Sequence, residues 1–245
     1  MQINRGYRYF IFIAFLLLPY AVQAKTLEEK VLHSQVAETR YMALGDSLTA
    51  GQGALPQTKG YVYLLYRWQV FNTLPNTILN NAGVSGATSQ MVLDHQVPQA
   101  IEAFQPTVIT ITVGGNDLLS ILDGADATTV LANFQANLTK IFQSLRTALP
   151  QTQIYINNLY TVPDIPGSEQ VVVLFNQILE GVAAAYNVPV ADVFSAFAGK
   201  RGLIHPNSVH PTNAGYRVMA KAFASIILKD EGAVLHAIGH EETEP

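Results

Sequence analysis

Two residues far apart in the chain have chemistry that suits each other. Ser47 stands in Gly45-Asp46-Ser47-Leu48, and His210 stands in Val209-His210-Pro211-Thr212. A serine hydroxyl is a weak nucleophile that attacks an acyl carbon only when an adjacent base takes its proton, a task suited to imidazole. The attack puts negative charge on the former carbonyl oxygen, so the site also needs fixed hydrogen donors. The backbone amides of Ser47 and Gly86 and the side-chain amide of Asn116 are the candidates. Gly86 lies in Asn81-Ala82-Gly83-Val84-Ser85-Gly86-Ala87-Thr88, and Asn116 in Gly114-Gly115-Asn116-Asp117. Together these residues fit acyl transfer.

Each of them needs an element to hold it. Residues 41–44 are apolar and break off at Gly45, the pattern of a buried strand ending in a turn. Further strands are expected at 77–80, 107–113, 153–157 and 188–190. The third is wholly β-branched, as suits a strand covered on both faces. Helical spacing of apolar residues recurs between the strands, as in Val130, Phe134, Leu138, Ile141 and Leu145, then Val172, Phe175, Leu179 and Val182. An aromatic-rich helix is expected over 61–71, with Trp68, Tyr61, Tyr63 and Tyr66 packed in the core or lining a cleft. A last helix carries Tyr216, Met219, Phe223 and Ile226. Strand–helix alternation implies a parallel sheet with right-handed crossovers. The chemical residues all follow strands or precede the closing helix, so they gather at the C-terminal rim where open sheets bind ligands.

Composition narrows the function classes. The chain has 245 residues, of which 49% are hydrophobic and 13% charged, enough for one domain with a substantial core. Its net charge of −4 with 14 Lys and Arg offers no basic stripe for nucleic acid. With no cysteine there is no disulfide, thiolate metal site, cysteine nucleophile or lipidated anchor. Residues 1–24 read as a signal peptide: Arg5 and Arg8, an apolar run over 10–18, then Val22-Gln23-Ala24 as a cleavage site. An uncleaved anchor is the alternative, since residues 20–22 extend the apolar run. Residues 25–40 form a polar N-terminal segment, 41–229 the domain, and 230–245 a disordered tail. Export to the periplasm or medium follows, with no stable membrane span after cleavage. Oligomeric state is not legible.

The four blocks around Ser47, Gly86, Asn116 and His210, in that order, resemble those of the SGNH/GDSL hydrolases, and the resemblance runs from about residue 41 to 228. It implies an α/β fold, a three-layer α/β/α flavodoxin-like sandwich with a five-stranded parallel sheet. It also implies ester hydrolysis without metal or cofactor, Ser47 as nucleophile, His210 as base, and Ser47, Gly86 and Asn116 as the oxyanion hole. The Gly-x-Ser-x-Gly elbow of the α/β-hydrolases is absent.

The chain departs from the family at one position. Members of the family carry an aspartate three residues before the histidine, and here that residue is Asn207. A carboxylate there fixes the histidine tautomer and stabilises the imidazolium. The Asn207 carboxamide oxygen can accept the ring hydrogen but brings no charge. The expected third catalytic member is therefore Asn207, with a backbone carbonyl or Asp192 as alternatives.

Other polar residues read as structural. Asp46 and Asp117 are expected to bond local amides in turns. His205 belongs to the rim, Ser85 lies inside the glycine turn, and Asp94 and His95 point apart on a helix. His33, His236 and His240 lack metal-ligand spacing.

The segment Ala54-Leu55-Pro56 and the loop at 157–163 are expected to border the cleft and to suit an acyl chain. The reading is a secreted carboxylic-ester hydrolase acting on short acyl or lipid esters. The alternatives are a catalytically weak binding protein that keeps the pocket, and a carbohydrate deacetylase.

Overall fold

The computed structural model describes residues 38–241 except Pro75 and residues 163–164, with side chains through Asp230. The expected signal segment, His33, His236 and His240 lie outside these described side chains. The folded unit begins at Thr39.

Five strands form one sheet: β1 (Arg40–Gly45), β2 (Ile78–Asn81), β3 (Val108–Thr112), β4 (Gln153–Asn157) and β5 (Val190–Ala191). Their order is β2-β1-β3-β4-β5, and every pairing is parallel. The chain steps from β1 to β2 on one side, then returns to place β3 on the other. The strand order therefore reverses between β1 and β3, the point at which open α/β sheets leave a crevice beyond their carboxyl ends. Register pairs Gly45 with Thr112, so the turns after β1 and β3 start side by side.

Two apolar layers sandwich the sheet because successive strand residues face opposite ways. Met42, Leu44, Ile109, Ile111, Ile154 and Ile156 face α5 (Ala127–Ala148) and α6 (Ser168–Ala185). Phe134 and Phe175 of these helices meet with ring centroids 4.7 Å apart. On the other face Tyr41, Ala43, Val108 and Tyr155 pack against α2 (Tyr61–Leu64) and α8 (Asn213–Glu241). There Tyr61 stacks on Phe223 at 5.1 Å. Four further α-helices complete the frame: α1 (Ser47–Ala50), α3 (Ser89–Met91), α4 (Gly115–Leu122) and α7 (Val193–Phe197). The three-layer α/β/α expectation is met. Among the described residues, no helix is long and apolar enough to cross a membrane.

Two expectations are corrected. The aromatic stretch is not one α-helix: α2 passes into a π-helical segment at Leu65–Gln69 and a 3-10 turn at Phe71–Thr73. The i→i+5 bonds widen the turn, so Trp68 does not return to the face of Tyr61 and Leu65 and is 75% exposed. The last helix continues beyond residue 229 to Glu241, where a disordered tail was expected. Each residue added to an existing helix gains a hydrogen bond without a new nucleation cost, and no proline interrupts the run.

Candidate active site

Ser47 opens α1, immediately beyond β1. Gly45 has φ of 138°, and a Cβ there would sit 2.0 Å from the Thr112 carbonyl, so only glycine fits. The buried Gln96 clamps its peptide groups, accepting from the Gly45 amide at 2.6 Å and donating to its carbonyl at 2.8 Å. Asp46 then caps the helix: its Oδ1 accepts from the Leu48 amide at 2.9 Å and the Thr112 hydroxyl at 3.1 Å. Burial raises its carboxyl to about 6, with those hydrogen bonds opposing the shift. Asp46 is thus a turn and cap residue, as expected. The Ser47 amide, in the first turn, has no hydrogen-bond acceptor among the described residues.

His210 comes from a short hairpin. Its ladder is the Ile204–Pro211 bridge, the His205 amide on the His210 carbonyl at 3.0 Å and the Thr212 amide on the Leu203 carbonyl at 2.8 Å. The Tyr160 hydroxyl donates to the Val209 carbonyl at 2.5 Å and braces the hairpin from the loop after β4. This arrangement puts His210 Nε2 2.9 Å from Ser47 Oγ. Desolvation by partial burial, and then the neighbouring His205, lower the His210 pKa below that of an ordinary imidazole. His205 itself is turned to the Gly53 carbonyl, with Nε2 at 2.8 Å.

The partner at His210 Nδ1 is not the expected one. Ser208 Oγ lies 3.2 Å from that nitrogen and also accepts from the His210 backbone amide at 3.1 Å. Asn207 is exposed, in left-handed conformation with φ of 55°, and makes no hydrogen bond to the ring. Its role there is to turn the chain, which asparagine tolerates better than most residues. Asp192 is elsewhere, capping α7 through the Ser195 amide. Burial raises its pKa and its bonds to Ser195 and Asn158 lower it, with the lowering prevailing.

The remaining donors are tied to the same rim. Gly86 is exposed with φ of 85°, and a Cβ there would meet nothing within 4 Å, so conformation rather than crowding requires glycine. Its amide has no acceptor among the described residues. The Val84 amide reaches the Gly45 carbonyl at 3.0 Å, joining the glycine turn to the end of β1. Asn116 donates from Nδ2 to the Ala87 carbonyl at 2.8 Å, joining that turn to α4. A carboxamide nitrogen has two hydrogens, which leaves the second available to a ligand.

Ser47 and Asn116 line a cavity with about 560 Å³ of empty space, its open mouth included. Its apolar wall is built by Leu118, Leu119 and Leu122 of α4, Leu159 and Tyr160 after β4, and Val172 of α6. Leu55, expected at the border, is 74% exposed and does not line it. The arrangement can deprotonate a hydroxyl at the mouth of an apolar slot and hold an oxyanion beside it. Among the described residues no cluster could hold a metal ion.

The other polar residues have structural partners. Asp117 accepts from the Ser89 amide at 2.9 Å and hydroxyl at 2.6 Å, Ser85 donates to Gln52 at 2.7 Å, and Asp94 accepts from Gln90. Leu159, Tyr160 and Val162 line the cavity from the loop expected to border it, whereas sequence reasoning missed Ser208, Gln96 and the α4 leucines. Only the last had a local signal, in the apolar residues that follow Gly-Gly-Asn-Asp at a strand end.

A hydroxyl hydrogen-bonded to an imidazole at the switch point of a parallel sheet is an arrangement suited to hydrolysis. A model of the GDSL-like lipase/acylhydrolase family matches residues 43–218, and the chain belongs to that family. It is a carboxylic ester hydrolase. The spore germination lipase LipC of Bacillus licheniformis is 28% identical over 197 residues, covering 74% of this chain and 93% of that protein. A lipolytic G-D-S-L family protein from Veillonella parvula superposes with a TM-score of 0.59 at 25% identity, over 75% of this chain and 95% of that one. The psychrotrophic esterase EstA from a Pseudoalteromonas species superposes at 0.61 and 24% identity, over 80% and 100%.

Proposed function

We propose that the chain hydrolyses esters with apolar acyl groups through a covalent Ser47 intermediate. The observation that carries this reading is the 2.9 Å contact between Ser47 Oγ and His210 Nε2 at the mouth of a leucine-lined cavity. In the productive tautomer Nε2 accepts the Ser47 proton as Oγ bonds to the acyl carbon. The Ser47 and Gly86 amides and the free Asn116 hydrogen receive the oxyanion. His210 then gives its proton to the departing alkoxide, and the C–O bond breaks. Water, deprotonated by the same ring, attacks the acyl-enzyme, and the ring returns that proton to Ser47 Oγ as the acyl–Oγ bond breaks and the acid leaves.

The cavity wall, apolar over Leu118, Leu119, Leu122, Leu159 and Val172, favours an acyl chain over a charged or sugar-like group. We place this activity outside the cytoplasm, on the Arg-flanked apolar run and small-residue site in residues 1–24. The test is a series of p-nitrophenyl esters of graded chain length, with fluorophosphonate labelling of wild type and Ser47→Ala. Hydrolysis and labelling both vanish in the variant if the reading holds. Undiminished turnover without the Ser47 hydroxyl would end it. N-terminal sequencing of the processed protein tests export, with residue 25 expected first.

A further inference from the structure

Among the described residues His210 has no carboxylate partner, and the geometry supplies a different one. For Nε2 to accept from Ser47, the second ring hydrogen must sit on Nδ1, and that hydrogen needs an acceptor to keep it there. Ser208 Oγ, at 3.2 Å, is the hydrogen-bond partner of Nδ1 among the described residues. The same oxygen accepts the His210 backbone amide at 3.1 Å, and an amide is a donor in every protonation state. A hydroxyl oxygen has two lone pairs, so both can point at His210 while its own hydrogen turns away.

Resting on the Ser47–His210 reading above, we propose that Ser208 is the positioning residue that orients His210 and holds its tautomer during ester hydrolysis. The Asn207 side chain plays no part in this. The Asn207 backbone sets the left-handed bend that brings Ser208 under the ring, while the side chain is exposed.

The surrounding groups agree. Asp46, beside Ser47, spends its oxygen on Leu48 and Thr112. Asp192 caps α7, and Asp117 holds Ser89. The titratable group that bears on His210 is His205, across the same hairpin, which disfavours the charged ring. A hydroxyl dipole can support an imidazolium but cannot neutralise it. The ring is thus held in place without the basicity a carboxylate would confer.

The test uses the full chain with a p-nitrophenyl ester, measuring kcat, KM and the acidic limb of kcat/KM. The variants are Ser208→Ala, Ser208→Thr, Ser208→Asp, Asn207→Gly and Asn207→Asp, each checked for folding by circular dichroism, with glycine chosen because it keeps the left-handed bend at residue 207. Ser208→Ala is expected to lower kcat by roughly 10- to 100-fold with KM little changed, less than the loss of a triad carboxylate because solvent reaches this half-buried site. Ser208→Thr restores most of the rate. Ser208→Asp moves the acidic limb upward by about one pH unit, since an opposite charge favours the imidazolium. Both Asn207 variants behave as wild type. A wild-type rate in Ser208→Ala, an unmoved limb in Ser208→Asp, or a loss confined to the Asn207 variants overturns the proposal. Ser47→Ala separates the two failures: if it is inert while Ser208→Ala is fully active, the hydrolase reading stands and only the role of Ser208 is lost.

Discussion

The phenolic hydroxyl of Tyr160 donates to the carbonyl of Val209, the residue directly before His210. Its ring meanwhile lines the cavity beside Ser47 and stacks on Phe197 at 4.6 Å. Burial keeps the phenol protonated well above the ordinary tyrosine range, so it donates throughout the working pH range. Tyr160→Phe preserves the ring and removes only the brace. It is expected to cost about 1 kcal/mol of stability, and to lower kcat about tenfold as the imidazole drifts from Ser47. Steady-state kinetics check this: a raised KM at unchanged kcat would mean that the hydroxyl contacts substrate instead.

Because burial and His205 depress the His210 pKa, the neutral ring persists to a lower pH than a free imidazole would. Only the neutral ring can accept the Ser47 proton. The acidic limb of kcat/KM should therefore fall below the ordinary histidine range, and it should move upward in His205→Ala as the neighbouring ring's influence is removed. A pH–rate profile of both proteins decides the matter, and an acidic limb above the ordinary range would contradict the assignment.

Asp46 gives a stability prediction whose sign follows from its environment. Its folded pKa of about 6 lies above the ordinary carboxyl value of 3.8. Between those values the folded state binds more protons than the unfolded one, so this group's contribution is full below the lower value and is lost as pH rises through the upper. The shift corresponds to a penalty on the order of 3 kcal/mol once both states are ionised. Asp46→Asn keeps an oxygen for Leu48 and Thr112 and removes the charge. Its melting temperature relative to wild type is thus expected to climb from pH 4 to 7, and a flat difference would place the charge in a better solvated site than its burial indicates.

Much of this was legible because each signal was local. Gly45 before Ser47, the β-branched run of β3 and the apolar spacing of α5 each depend on neighbours in sequence. The orienting partner of His210 was not, because the motif position was taken by Asn207 and the choice between residues 207 and 208 is made by a left-handed backbone angle. Gln96 was invisible for another reason. Its glutamine lies 51 positions from the Gly45 peptide it clamps, and a polar residue on a helix ordinarily reads as surface. Gln96→Leu should leave the Gly45 amide unpaired and cost about 1–3 kcal/mol, measurable by urea unfolding. A neutral result would show that water replaces the carboxamide.

The cavity wall sets the last prediction. Leu122, half-buried at the end of α4, faces the cavity with Leu118 and Leu119. Enlarging it intrudes on the space an acyl chain would fill without touching Ser47, His210 or Asn116. Each methylene that a hydrophobic pocket accepts or excludes is worth about 1–3 kcal/mol. Leu122→Phe should therefore lower kcat/KM for the longest esters the wild type accepts by about tenfold or more. Acetyl ester hydrolysis should be little changed, because the reacting groups are undisturbed. The p-nitrophenyl series measures both in one experiment. An equal loss at every chain length would mean that the substitution had shifted α4 and Asn116 with it, and a circular dichroism melt would then show the same damage in the fold.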